Sequence, residues 1–244
     1  MDRRNMNDRR VAVTITLVLT ATITLPFIES AWGTPAAGKP PAQNPASLLI
    51  RLLHKTHWHT LQTRFFCFQK SPLLKHGFES GGKLMLAPEK MRYQVDWPVE
   101  TIYILRHDQI ESKTHGKPWR VIHAARSPEI APIMKYLSGL SKLNKATLHA
   151  GKIKFLSAPL PQPPARDRHY VSLTPIPIAA FSITPTNKIF RRYVKQIELF
   201  VNRKTGFLVA LEVLSPQGTI NYWFSGTRIN IKFPPATFAP KGQA

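Results

Sequence analysis

The chain has 244 residues, with 34 lysines and arginines against 13 aspartates and glutamates, and its formal net charge is +21. Its one cysteine, Cys67, excludes an internal disulfide. The length is enough for a single domain with a sizeable core, and the sequence contains no internal repeat.

The N-terminal segment is typical of an exported protein. Four arginines occur among the first ten residues, an uncharged apolar run covers residues 11–28, and small residues follow in "AWG". This order predicts a signal peptide over residues 1–33 that is cleaved after Gly33. A membrane anchor is the alternative, because the apolar run can just span a bilayer. With cleavage, we expect a soluble periplasmic protein.

The composition changes twice after the predicted cleavage site. Residues 34–46 are rich in Pro and Ala and are predicted to form a flexible arm. Residues 47–244 are predicted to form the folded domain. Within it, Ser47 is predicted to cap a helix that runs through "LLIRLLHKTHWHTL", where leucines recur at helical spacing.

A series of short strands is predicted to follow this first helix. They are "TRFFCFQK", "ESGGKLMLA", "MRYQVDW", "ETIYILR" and "QIESKT". The breaks between them are short and contain Pro, Gly, Asp or charged pairs, as in an antiparallel meander. In the third strand, Met91, Tyr93, Val95 and Trp97 alternate with polar residues and are predicted to share one hidden face.

A second helical region is predicted in "SPEIAPIMKYLSGLSKL". Its apolar stripe contains Ile130, Ile133, Met134 and Leu137.

The C-terminal part is again predicted to consist of strands. These are "HYVSLTP", "KQIELFVN", "FLVALEVL", "TINYWFS" and "RINIKF". The stretch between Pro175 and Pro185 is predicted to be too broken for a central strand. In "SPQG", Pro and Gly occupy the second and fourth places of a type I turn, which predicts a hairpin.

About ten strands and two helices indicate an α+β fold, in which a long curved antiparallel sheet has the helices on its concave side. A sheet of that size must curl or close. Where the helices fill the hollow only in part, an apolar cavity remains.

The order of these elements resembles the periplasmic lipoprotein carrier family, LolA. The resemblance rests on "FQK" at the end of the first strand, "SGGKL" before Pro88, "MRYQVDWP", "YVSLTP", and the run from "IELFVNRKTG" to "INIKFPPATFAP". It covers nearly the whole predicted mature chain. Two positions depart from the family pattern, since Ala87 stands where members often have an arginine that holds the helical lid shut, and Cys67 replaces a phenylalanine.

The resemblance implies an incomplete β-barrel with a helical lid over an apolar cavity that shelters the acyl chains of a lipoprotein. By position, Leu84, Leu86, Met91 and Tyr93 are expected to line the cavity, and Val95 lies on the same face. Tyr222 and Phe224 lie one strand period from Ile220 and are expected to be core or cavity residues. The implied lid contains Ile130, Ile133, Met134 and Leu137.

The resemblance also implies the partners. They are a lipoprotein or another acyl-chain cargo, with an inner-membrane donor and an outer-membrane acceptor as further possibilities. We expect a monomer and no cofactor. The export signal argues against nucleic acid as a partner.

Two other functions stay open at this stage. One is a periplasmic sensor or scaffold that binds an anionic glycolipid or a protein through the basic surface. The other is an enzyme acting on an apolar substrate, although the sequence contains no nucleophile elbow and no HExxH motif. The histidines of "HKTHWH" are interpreted as solvated residues and not as metal ligands, and we expect no catalytic residues.

Overall fold

The computed structural model describes residues 44–72, 77–88, 90–106, 109–123, 151–163, 176–186, 188 and 190–240. Within them the chain forms one α-helix, α1 (Pro45–Leu53), eleven β-strands, and two short 3-10 helices (Phe190–Arg192 and Pro235–Phe238). The strands are β1 (Leu61–Lys70), β2 (Phe78–Ala87), β3 (Lys90–Trp97), β4 (Thr101–Arg106), β5 (Gln109–Thr114), β6 (Arg120–His123), β7 (Gly151–Phe155), β8 (Ile178–Pro185), β9 (Gln196–Asn202), β10 (Leu208–Ser215) and β11 (Gly218–Ile229).

All eleven strands belong to one antiparallel sheet in the order β6-β5-β4-β3-β2-β1-β11-β10-β9-β8-β7. Two meanders therefore meet at the centre, where the first strand of one pairs with the last strand of the other. The end strands β6 and β7 do not pair with each other in the part of the chain that the structure describes. The predicted large antiparallel sheet and the α+β class are confirmed, and the sheet is open.

The first helix differs from its prediction at both ends. The side chain of Asn44, not Ser47, caps it by accepting a hydrogen bond from the backbone N–H of Ala46, and a proline occupies its first position. The helix was predicted to include the histidines of "HKTHWH", but it ends at Leu53 and they lie outside it. Helix formation stops here because "HKTHWHT" contains β-branched residues and histidines and has no apolar stripe.

The prediction that the stretch between Pro175 and Pro185 cannot form a central strand is wrong. Strand β8 lies between β7 and β9 and pairs with both. Pro177 precedes the strand and Pro185 is its last residue, so "IAAFSIT" between them retains every backbone N–H that the two ladders require. The short strands β6 and β7 were not predicted, because four or five residues give too little alternation.

The last two predicted strands, "TINYWFS" and the start of "RINIKF", are joined in one continuous strand. Strand β11 continues from Gly218 to Ile229, and the register against β1 shifts at Gly226, which has φ of 60°. Such a bulge bends a strand without ending it. The hairpin predicted at "SPQG" is confirmed, since Ser215 pairs with Gly218 across the β10–β11 turn. The predicted second helix and "YVSLTP" lie outside the described residues.

Candidate functional site

All seven predicted cavity residues of the sheet belong to one buried apolar cluster. They are Leu84, Leu86, Met91, Tyr93, Val95, Tyr222 and Phe224, and each exposes 7% of its surface or less. Leu49 and Leu52 of α1 belong to the same cluster. We call this side of the sheet the helix face and the other side the opposite face.

Pairing between strands brings these residues together. Met91 of β3 lies across from Leu86 of β2, and Tyr93 lies across from Leu84. Because successive residues of a strand point to opposite sides, one correct pair places the whole alternating set on one face. The period-2 pattern thus predicted correctly that Met91, Tyr93 and Val95 share one face, whereas Leu84 and Leu86 were assigned from the resemblance. Their role in binding a ligand remains a prediction.

Aromatic rings form a row across the helix face. The rings of Phe65 on β1 and Tyr93 on β3 stack with centroids 4.5 Å apart, although β2 lies between their strands. The residue of β2 that faces Phe65 in the ladder is Gly82, which has no side chain. Tyr222 packs edge-on to Phe65 at 6.1 Å. This row joins both halves of the sheet.

Three polar side chains lie at the centre of this apolar face. The thiol of Cys67 and the hydroxyls of Tyr93 and Tyr222 are close enough to influence one another's pKa, and all three residues are buried. Burial raises the pKa of Cys67 to about 12 and raises that of both tyrosines well above the ordinary value, so the cluster is neutral. Neither tyrosine hydroxyl makes a hydrogen bond of acceptable geometry to a described residue.

The described residues that cover the helix face come mainly from α1 and from the segment beside the first 3-10 helix. Helix α1 contributes Leu49 and Leu52, and Val194 adds a further buried side chain next to the first 3-10 helix. The turn between β9 and β10 packs directly against the end of the helix, since a Cβ at Gly206 would collide with the carbonyl oxygen of Leu52. The predicted lid residues Ile130, Ile133, Met134 and Leu137 lie outside the described residues.

The opposite face carries a second apolar cluster that the sequence did not reveal. It contains Phe66, Phe200, Ala210 and Trp223, with Leu156 and Leu160 packed on it. The indole N–H of Trp223 donates to the carbonyl oxygen of Pro161 at 2.8 Å. The segment after β7 therefore covers this face, which is not solvated as a simple amphipathic sheet predicts.

Trp97 was predicted to share the face of Met91 and Tyr93, and this prediction is wrong. The β2–β3 register shifts between Gly81 and Gly82, and β3 contains one extra residue there. The bulge reverses the alternation, so Trp97 packs on the opposite face with Phe66 at 6.0 Å between ring centroids. A Cβ at Gly81 would lie 2.6 Å from the indole nitrogen of Trp97, so this close packing requires glycine.

Arg92 does not replace the lid arginine of the family. It alternates with Met91 and Tyr93 on the opposite face, where its Nη1 donates to the carbonyl oxygen of Thr237 at 3.0 Å. This bond ties the C-terminal 3-10 helix to β3. Ala87 likewise follows Leu86 in β2, so its Cβ points to the opposite face and away from α1.

The sheet also brings together two carboxylates that are far apart in the sequence. Glu198 of β9 lies across from Glu212 of β10 on the opposite face. Burial raises the pKa of Glu212, and the charge of Glu198 raises it further. Gln196 donates to Glu198 at 2.8 Å. Since both carboxylates point away from the helix face, they do not serve a reaction there.

The described residues contain no group of three His, Cys, Asp or Glu side chains arranged to hold a metal ion. His54 ends α1, and burial, followed by the charge of His57, lowers its pKa. No helix within the described ranges is long and apolar enough to cross a membrane.

No protein-family model matches the chain, and no curated protein sequence matches it. Solved structures with a similar fold include a LolA superfamily protein from Nitrosomonas europaea, with 9% identity, a TM-score of 0.40, and coverage of 82% of this chain and 99% of that one. Another is the lipoprotein LppX of Mycobacterium tuberculosis, with 11% identity, a TM-score of 0.44, and coverage of 78% and 99%.

A third is the complex of MucA and MucB from Pseudomonas aeruginosa, with 13% identity, a TM-score of 0.40, and coverage of 80% of this chain and 60% of that one. A LolA superfamily protein is among the structural neighbours, as the sequence resemblance predicts. Because the TM-scores are below 0.5, the proposals below rest on the residues of this chain.

Proposed function

We propose that this protein is a carrier that holds acyl chains against the helix face of its sheet. The observation that supports it is the continuity of that apolar face across both halves of the sheet. One continuous apolar cluster joins strands of both meanders, and the single described α-helix over it has nine residues. An apolar face of this extent suits acyl chains, which must displace part of the present cover because its residues are already buried.

Hydrophobic burial alone provides the affinity that such a carrier needs. Each CH₂ group that moves from water to an apolar site contributes about 0.8 kcal/mol. A single long chain therefore binds without charged contacts, and a lipoprotein with several chains binds more tightly. No covalent step is required, so we propose binding without catalysis.

The proposed setting is the periplasm. We propose that residues 1–33 are removed on export and that the mature chain begins near Thr34. The cargo then passes from a donor at the inner membrane to an acceptor at the outer membrane. N-terminal sequencing of exported protein tests this point, and an intact Met1 in the membrane fraction would contradict it.

A second function is favoured by the charge of the chain. At one end of the sheet, the exposed residues Lys55, Arg203 and Lys204 lie together, because Lys55 Nζ donates to the Arg203 carbonyl at 2.8 Å. Such a basic surface suits an anionic glycolipid or an acidic protein. A sensor or scaffold of this kind predicts binding that weakens steeply with salt.

One pair of measurements distinguishes the two functions. Lipids are extracted from protein purified without detergent and identified by mass spectrometry. The delipidated protein is then titrated with 1-O-hexadecylglycerol, an uncharged single-chain lipid, at low and high salt. Bound lipid and a saturable, salt-independent titration support the carrier. Empty protein without saturable binding would contradict it.

A further inference from the structure

Two tyrosines, Tyr93 and Tyr222, are buried on the described helix face. Their rings pack against Phe65 in the aromatic row, but their hydroxyl oxygens make no well-formed hydrogen bond to a described residue. Nearly all buried polar atoms in native proteins have a hydrogen-bond partner, so two adjacent exceptions point to a partner that the described residues do not supply.

The surroundings define which chemical group fits. Among the residues that the structure describes, the buried polar or charged side chains outside the apolar core are Thr63, Ser80 and Glu111, and none of them is a lysine or arginine. A free carboxylate would therefore be buried there without a countercharge, which is strongly unfavourable. A neutral carbonyl oxygen has two lone pairs and no proton, so it can accept one hydrogen bond from each hydroxyl.

We propose that Tyr93 and Tyr222 donate hydrogen bonds to the ester or amide carbonyl of a bound acyl chain. The inference rests on the carrier function proposed above and adds its specificity. The apolar strands bind the hydrocarbon chain, and the two hydroxyls select chains that are esterified or amidated. The same carbonyl chemistry occurs in acylglycerols and in the N-acyl group of a lipoprotein.

The position of the two residues is compatible with this role. Tyr222 lies across from Cys67 in the β1–β11 ladder, and Cys67 lies across from Ser80. Tyr93 reaches the same place from β3 by stacking on Phe65. Both tyrosines thus meet beside Cys67 near the middle of the sheet.

The test compares an ester and an ether that differ only in the carbonyl, 1-palmitoylglycerol and 1-O-hexadecylglycerol. An amide, N-palmitoylethanolamine, and a free carboxylate, palmitate, extend the series. Each is titrated against wild-type protein, Tyr93→Phe and Tyr222→Phe. Tyr193→Phe is the matched control, because Tyr193 packs on the same cluster but is only partly buried.

We expect wild-type protein to bind the ester more tightly than the ether, and each buried Tyr→Phe change to reduce this preference by about two- to tenfold. Amide binding equal to or tighter than ester binding would identify a lipoprotein acyl group as the source of the carbonyl. Tyr193→Phe should leave the preference unchanged, and palmitate should bind more weakly than the ester.

Thermal unfolding of the empty protein provides a second readout. Removing a hydroxyl that has no protein partner should leave the melting temperature unchanged or raise it. Equal affinity of wild-type protein for ester and ether would overturn the inference while the carrier function stands. The same holds if a Tyr→Phe variant has a lower melting temperature and loses affinity for ester and ether to the same extent. Absence of binding to every ligand would overturn both.

Discussion

Phe65 and Tyr93 stack with their ring centroids 4.5 Å apart and their planes within 15°, although they belong to strands that are not neighbours. The strand between them contributes Gly82, which faces Phe65 on one side and Val95 on the other. The two rings therefore meet across a strand position that has no side chain.

We predict that Gly82→Ala destabilises the protein by about 2–4 kcal/mol, because the new Cβ collides with the backbone carbonyl oxygen of Gln94, which cannot rotate away. Gly226→Ala is the control: its φ of 60° costs about 1–2 kcal/mol for alanine, but nothing lies within 4 Å of the added Cβ. Urea unfolding measures both variants. Equal losses would show that the sheet relaxes around position 82.

Two methionines on facing strands allow a matched test of the helix face. Met91 is 3% exposed on that face, whereas Met85 is partly exposed on the opposite face. We predict that Met91→Gln weakens binding of 1-O-hexadecylglycerol at least about fivefold, because a buried amide without a partner costs about 1–3 kcal/mol. Met85→Gln should leave the affinity unchanged. A loss of stability in Met91→Gln without loss of affinity would identify Met91 as ordinary core.

Cys67 should not react in the native protein. Burial raises its pKa to about 12, so at pH 8 almost no thiolate is present and the sulfur is also inaccessible. Native protein should resist a thiol reagent that labels the guanidine-unfolded chain within minutes. Because the raised pKa favours the protonated thiol, its contribution to stability is lost as the pH rises from about 9 to about 12. Rapid native labelling at pH 8 would show that the helix face opens readily.

The carboxylate pair on the opposite face predicts a pH-dependent stability. The raised pKa of Glu212 means that the native state prefers the protonated form, so its stabilising contribution is present below the unfolded pKa and is lost as the pH rises through the native pKa. Glu212→Gln should therefore be more stable than wild type at pH 7 by a few tenths to about 1 kcal/mol, since solvent screens this half-buried pair.

The gain in Glu212→Gln should vanish at pH 3.5, where the wild-type carboxyl is protonated as well. Glu100→Gln, which changes an exposed carboxylate beside His115, should show no comparable gain at pH 7. Chemical unfolding at both pH values checks this. A less stable Glu212→Gln at pH 7 would indicate that the carboxylate accepts a needed hydrogen bond.

Arg92 is predicted to hold the C-terminal segment on the sheet. Arg92→Met removes its hydrogen bond to the Thr237 carbonyl and those to the side-chain oxygen of Gln94, which should cost about 1.5–3 kcal/mol. Amide exchange at residues 237–239 should then become faster, while Lys90→Met at an exposed position leaves it unchanged. Unaltered exchange in Arg92→Met would show that Phe238 alone secures the segment.

Much of the fold was determined by local pattern. Alternation predicted that Met91, Tyr93 and Val95 share a buried face, because the side-chain period of a strand is a property of the backbone. The residues of "SPQG" predicted the β10–β11 hairpin, since a tight turn depends on its own four residues. The strands "TRFFCFQK" and "ESGGKLMLA" were predicted for the same local reason.

Tertiary structure alone decided the features that depend on partners distant in the sequence. One extra residue at the β2–β3 bulge moved Trp97 to the opposite face, which no alternation count reveals. Strand β8 forms between its flanking prolines because β7 and β9 pair with it on both sides.

In the candidate site, too, local pattern predicted some features and tertiary structure decided others. Local pattern placed Tyr93 and Tyr222 on buried faces, but their meeting with Cys67 required the pairing of β1 with β11. The same long-range pairing of strands set Glu198 across from Glu212. Strand periodicity determines which side chains are hidden, whereas the register between strands determines which hidden groups meet, and register is set by the whole sheet.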